Sequence, residues 1–119
     1  MPKILIVDDA TFMRVSLKKI LERNGFEVIG EAENGISAIK KCAELKPDII
    51  TMDITMPEMD GLSALKEIKR VYPEVKVVMV SAMGQEPFVR EAVMSGARDF
   101  IVKPFSEELI VKTMNNLCK

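Results

Sequence analysis

Lys3–Val7 reads KILIV and runs straight into Asp8-Asp9. Four successive apolar residues, three of them Ile or Val, read as a strand with both faces covered, because a half-exposed strand would alternate with polar residues. Three further runs have the same character: Asp48–Met52 (DIITM), Lys76–Val80 (KVVMV) and Asp99–Val102 (DFIV). A fifth, Glu27–Glu33 (EVIGEAE), is more polar and carries Gly30, which places it at the edge of a sheet.

Between these runs the apolar spacing changes to that of a helix. Met13, Leu17, Ile20 and Leu21 mark a first helix, which stops at Asn24-Gly25. Ile36, Ile39 and Ala43 mark a second, ended by Pro47. Leu62, Leu65 and Ile68 mark a third, with Asp60 as its N-cap and Pro73 beyond its end. Val89, Ala92 and Val93 mark a fourth, closed by Gly96; Ile110, Met114 and Leu117 mark a fifth, capped by Ser106, with Glu107 and Glu108 facing the positive end of its dipole. The chain is thus (βα)5, the pattern of an α/β protein with a parallel sheet covered on both faces. Right-handed crossovers leave few strand orders open, and the simplest is a doubly wound open sheet, 2-1-3-4-5, in which the polar second strand takes an edge. Residues 1–119 are expected to form a single domain.

Composition removes several function classes. The 119 residues include 17 Lys+Arg and 18 Asp+Glu, a formal charge of −1, without the basic excess of a free-standing nucleic-acid binder. With no histidine, Ser-His-Asp and Cys-His catalysis and His-ligated metals are excluded. Cys42 and Cys118 lie far apart in helical segments, form no CxxC, and read as core fillers in a reducing compartment. The nine methionines are likewise read mainly as core. No signal-like start and no membrane-length apolar run is present, so a cytoplasmic protein is expected.

In open α/β sheets, sites form beyond the carboxyl ends of the strands, where the strand order reverses. The residues that follow the strands are therefore informative. Asp8 and Asp9 follow the first, Asp53 the third, Ser81 the fourth and Lys103-Pro104 the fifth. Three carboxylates at one place repel by about 4 kcal/mol per pair at 4 Å and an effective dielectric near 20. Lys103 supplies one compensating charge and a divalent ion would supply two. An all-oxygen donor set suits a hard ion, Mg²⁺ better than Ca²⁺. Mg²⁺, Lys103 and the Ser81 hydroxyl together could hold phosphoryl oxygens, and Asp53, at the end of a central strand, could accept the phosphoryl group covalently. Taken one at a time, these residues have plainer uses: Asp9 or Thr11 could simply cap the first helix, and a lysine is usually a solvated charge.

The segments VDDATFMR (Val7–Arg14), MDITMPEMDG (Met52–Gly61), VSAMG (Val80–Gly84) and DFIVKPF (Asp99–Phe105) resemble the receiver domain of two-component response regulators, in the chemotaxis form shared by many archaea and Gram-positive-type bacteria. The likeness runs over the whole chain and implies a flavodoxin-like fold. Chemotaxis receivers are themselves a standing example of this strand order and of the switch-point rule, so the match in topology is not an independent prediction. By this resemblance Asp53 is the phosphoacceptor, Asp9, Asp53 and the Thr55 carbonyl hold Mg²⁺ directly with Asp8 often acting through water, and Ser81 and Lys103 contact the phosphoryl group. It also implies a cis Lys103-Pro104 bond and a switch made by Ser81 and Phe100, with Phe where many chemotaxis members carry Tyr. The implied partners are a chemotaxis histidine kinase as phosphodonor and a flagellar or archaellar motor switch component or its adaptor. The protein would be a monomer that accepts and loses its phosphoryl group autocatalytically, with no independent substrate. No DNA-binding output domain is expected after Lys119.

Two other readings remain open on the residues alone. A Mg²⁺-dependent hydrolase of the haloacid-dehalogenase type would place a second Asp two residues after its nucleophile, where this chain has Thr55. An electron-transfer flavodoxin would need a Ser/Thr-rich phosphate loop where Asp8 and Asp9 stand.

Overall fold

The computed structural model describes residues 2–118. Strands and helices alternate throughout: β1 (Lys3–Val7), α1 (Thr11–Arg23), β2 (Glu27–Ala32), α2 (Gly35–Leu45), β3 (Ile49–Met52), α3 (Gly61–Val71), β4 (Lys76–Ser81), α4 (Glu86–Met94), β5 (Asp99–Val102) and α5 (Glu107–Leu117). All paired strands are parallel, in the order β2-β1-β3-β4-β5. This is the doubly wound topology expected from the alternation, with β2 at one edge.

Strand periodicity divides the core in two. Leu5, Val7, Ile50, Met52, Val77 and Met79 face one side, where Ala38, Cys42, Leu65, Ile68 and Ala92 of α2, α3 and α4 cover them. Ile4, Ile6, Ile49, Val78, Val80 and Ile101 face the other, under Leu17, Ile20 and Leu21 of α1 and Ile110, Met114 and Leu117 of α5. Each fully buried Ile or Leu side chain contributes roughly 1.5–3 kcal/mol relative to exposure. A core on both faces is why most of these strands read as continuous apolar runs.

Local chemistry ends the helices as expected. Gly25 and Gly96 take positive φ (88° and 105°) just past α1 and α4. Asp60 accepts from Ser63 N at 2.8 Å and Ser106 from Leu109 N at 3.1 Å. At the start of α5, Glu107 also accepts from Arg23 and Asn24 at the end of α1. These hydrogen bonds hold its carboxyl at about 2.

Several expectations need correction. Neither Asp9 nor Thr11 caps α1: the N-cap is Ala10, with no capping side chain, and Asp8 Oδ1 takes the Ala10 N–H at 2.9 Å instead. On α2 the buried residues are Gly35, Ala38 and Cys42, whereas Ile36 and Ala43 are exposed and Ile39 is half-buried. At the head of the helix Gly35 N bonds the Met59 carbonyl at 2.9 Å, and a Cβ on Gly35 would meet Met59 atoms at 2.7 Å, so the loop after β3 leaves no room for a side chain there. On α4 only Ala92 is buried and Val93 is exposed. Ser81 lies within β4, paired with Val102, and not beyond it. β3 starts one residue late, at Ile49, and the Asp48 carboxylate accepts from Lys3 N at 2.8 Å. β5 is the second edge, so Val102 is exposed. Cys118 is exposed, and only Cys42 is buried, where desolvation pushes its thiol up. Met52, Met56, Met79 and Met114 are core, but Met94 stands in solvent. Among the described residues no helix is long and apolar enough to cross a membrane.

Candidate functional site

The carboxyl ends of β1, β3, β4 and β5 converge. Oxygens of Asp8, Asp9 and Asp53 lie within 4.8 Å of one another. Asp8 and Asp53 are buried at the floor and Asp9 is exposed at the rim. The pairing of β1 with β3 accounts for this: Val7 lies opposite Met52, so the next residues, Asp8 and Asp53, leave the sheet side by side. The backbone continues the match, with Asp53 N donating to the Val7 carbonyl at 3.0 Å.

Lys103 closes the group from β5. Its Nζ donates to Asp8 Oδ2 at 2.7 Å and to Asp53 Oδ2 at 3.3 Å. The Lys103-Pro104 peptide is cis. One ammonium against three carboxylates leaves the pocket two charges short of neutrality. That imbalance, with oxygen donors only, fits a hard divalent cation.

Asp53 feels the crowding directly. Burial raises its carboxyl above the usual value. Lys103 pulls it down, Asp8 pushes it up, and the Ile54 N–H bonded to its Oδ1 at 2.7 Å pulls it down again; burial prevails. The backbone beside it has no slack. Gly61 N donates to the Ile54 carbonyl at 2.7 Å, and a Cβ on Gly61 would meet the Asp53 carbonyl oxygen at 1.8 Å. Glycine is therefore required there by close approach.

Ser81 is buried, and its Oγ accepts from Met83 N at 3.1 Å, which leaves its own proton to donate. Phe100 is half-buried and packs against the core on the α2–α4 side. Strand periodicity puts it on the same face as Met79, its pairing partner, and Ser81 two residues further on. Thr55 is exposed in the loop after β3, and its Oγ1 donates to Met83 Sδ at 3.0 Å. The structure thus gathers Asp8, Asp9, Asp53 and Lys103 directly, with Ser81 on β4, Phe100 on β5 and Thr55 in the loop after β3.

Two features of the site escaped the sequence reading. Gly61 stood only as the end of a motif, with no hint of its approach to Asp53. Arg14, on α1, donates from Nη1 to the Asp8 carbonyl at 2.7 Å and from Nε to Glu31 Oε1 at 3.0 Å. No local periodicity singles out an arginine in a helix that also carries Lys18, Lys19 and Arg23.

Fold and pocket together define a class: a doubly wound α/β domain whose strand ends hold an acidic cluster bridged by a lysine, with the charge to bind a hard cation. Residues 4–115 match the response regulator receiver domain, and the chain belongs to that family. It is 56% identical over 113 residues to the chemotaxis protein CheY of Bacillus subtilis, covering 95% of this chain and 94% of that one. It is 55% identical to CheY of Thermotoga maritima over 98% of both chains. Among solved structures, the CheX-CheY-BeF3-Mg complex of Borrelia burgdorferi superposes with a TM-score of 0.95 at 35% identity, over 98% of this chain and 89% of that one.

Proposed function

We propose that this protein is a phospho-accepting response regulator of chemotaxis, switched by transfer of a phosphoryl group from a histidine kinase to Asp53. The observation that carries this reading is the Lys103 ammonium held on both Asp8 and Asp53 within a three-carboxylate pocket. Relatives named for chemotaxis at more than half identity support it. So does a related chain that crystallised with magnesium and beryllofluoride.

Asp8, Asp9, Asp53 and the Thr55 carbonyl would hold Mg²⁺. The bound ion supplies positive charge against the phosphoryl oxygens. An Asp53 carboxylate oxygen forms the new bond to phosphorus, while the bond from phosphorus to the donor's imidazole nitrogen breaks and its electron pair leaves with the imidazole. This chain needs no histidine because the kinase supplies one. Lys103, already bonded to Asp53, is placed to follow the charge onto a phosphoryl oxygen. Ser81 keeps a free proton for another. Hydrolysis of the acyl phosphate by water resets the switch, with Thr55 and Met83 flanking the site to tune its rate. The domain acts on its own side chain and turns over no separate substrate.

Movement of Ser81 toward the phosphoryl group would free space that Phe100 enters from the same face of the sheet. That repacking would bias the α4–β5–α5 surface toward a flagellar or archaellar motor switch component or its adaptor. The protein would work as a cytoplasmic monomer and bind no nucleic acid.

The test is acetyl phosphate with Mg²⁺, followed by intact mass. A gain of about 80 Da that maps to Asp53, and is absent from Asp53→Ala, supports the reading. Turnover of an external phosphoester without a modified Asp53 would replace it with a hydrolase.

A further inference from the structure

The loop between β1 and α1 presents two of the three carboxylates, yet α1 begins without a capping side chain. A helix entry that must hold Asp8 and Asp9 against mutual repulsion needs some other restraint. Arg14 provides one. Its guanidinium reaches back along α1 and donates to the Asp8 carbonyl at 2.7 Å and to Glu31 Oε1 on β2 at 3.0 Å. A longer contact, 3.3 Å, reaches Thr11 Oγ1 at the head of the same helix. The Arg14 side chain is only 16% exposed, and Glu31 is 35% exposed. Glu31 is itself steadied, because Lys41 of α2 donates to its carbonyl oxygen. The clamp therefore runs from the edge strand, through a rigid planar fork, to the backbone of a candidate metal ligand. Glu31 balances the charge of Arg14, so the guanidinium acts on the pocket mainly through position.

We infer that Arg14 is a positioning residue for phosphoryl acceptance: by pinning the Asp8 backbone to Glu31, it fixes the loop that presents Asp8 and Asp9 to the cation. The inference rests on the receiver reading of the pocket. Arg14 touches neither the phosphoryl group nor the metal. Its effect is felt as cation affinity at the loop rather than as the rate of the chemical step once the cation is bound.

The experiment uses the full chain in two states. Without metal, amide hydrogen exchange follows Ala10, whose N–H is bonded to Asp8 Oδ1. With metal, Mg²⁺ titration and phosphorylation by acetyl phosphate follow the site. Arg14→Ala should speed Ala10 exchange about tenfold and weaken Mg²⁺ binding about tenfold, the scale of one lost charge-assisted hydrogen bond. Core amides such as Ile50 should be unchanged, and saturating Mg²⁺ should restore the phosphorylation rate to within about twofold. Arg14→Lys keeps the charge but loses the fork, so it should resemble Arg14→Ala; it also carries the test if the alanine variant folds poorly. Glu31→Gln, which keeps an acceptor oxygen, should move the same readouts less. Parent-like exchange and Mg²⁺ affinity in Arg14→Ala, or full recovery in Arg14→Lys, would overturn the clamp. A parent protein that neither binds Mg²⁺ nor takes the phosphoryl group would overturn the receiver reading instead, while the metal-free exchange measurement still decides the clamp.

Discussion

Replacing Asp53 with Asn should make the metal-free protein more stable at neutral pH while abolishing phosphoryl acceptance. The Lys103 ammonium, 3.3 Å away, attracts the carboxylate by roughly 5 kcal/mol at an effective dielectric of 20. Asp8, with an oxygen within 4.8 Å, repels it by at least about 3.5 kcal/mol on the same scale. Asp9 is exposed, and its share is screened. Against the small surplus of attraction stands the cost of desolvating a buried ion, several kcal/mol. Burial accordingly dominates and lifts the Asp53 carboxyl above its ordinary 3.8. Asn keeps an oxygen for the Ile54 N–H and discards the charge. Because the exposed Asp9 brings solvent to the rim of the cluster, the expected net gain is about 1–2 kcal/mol, or roughly 4–8 °C in Tm. The pH dependence follows from the raised carboxyl. The folded parent retains this proton to higher pH than the unfolded chain, so its stability falls as pH rises from 3.8 through the folded value. The advantage of Asn should be absent at the acid end of that window and reach its plateau above it. Thermal melts in EDTA across that range, repeated with Mg²⁺, measure the effect, and the ion should narrow the gap by stabilising the parent more. An Asn variant less stable than the parent at pH 7, or a gain that does not change with pH, would refute the electrostatic account of the pocket.

Gly61→Ala places a Cβ 1.8 Å from the Asp53 carbonyl oxygen, so it should cost at least about 3 kcal/mol by urea unfolding and impair Asp53 phosphorylation together. Thr51→Val removes a buried hydroxyl that has no hydrogen-bond partner and should raise stability by about 1 kcal/mol; a loss by the same denaturant assay would mean that the hydroxyl is satisfied in solution. Phe100→Ala should leave the mass gain on Asp53 intact while weakening phosphorylation-dependent capture of the output partner at least about tenfold, as measured by binding with and without beryllofluoride. Loss of phosphorylation in that variant would count against a switch role for Phe100.

The legible features share a common cause. β1 and β3 could be read because strands covered on both faces must be apolar at successive positions, and β2 because an edge strand can afford Glu27, Gly30 and Glu31. The caps at Asp60 and Ser106 could be read because the bond each makes spans only three residues. The acidic rim followed from topology, since parallel strands in this order carry the residues after them to one end. The inward face of α2 was misassigned for a reason that also makes sense physically. Ile36 looked like core by hydrophobicity, but the helix turns Gly35, Ala38 and Cys42 inward, with Gly35 hard against the Met59 backbone, and Ile36 is turned to solvent.

The linear chain, through periodicity and turn chemistry, determined the elements, their alternation and which residues stand at the strand ends. Those are short-range properties, carried by steric and hydrogen-bonding preferences within a few residues. Tertiary structure decided the rest: that Lys103 bonds two carboxylates 95 and 50 residues away along the chain, that Gly61 presses on the Asp53 backbone, and that Arg14 ties Asp8 to β2. Each depends on tenths of an ångström in how separate helices and loops settle on the sheet. Packing of the whole core sets such distances, and no local pattern of residues contains them.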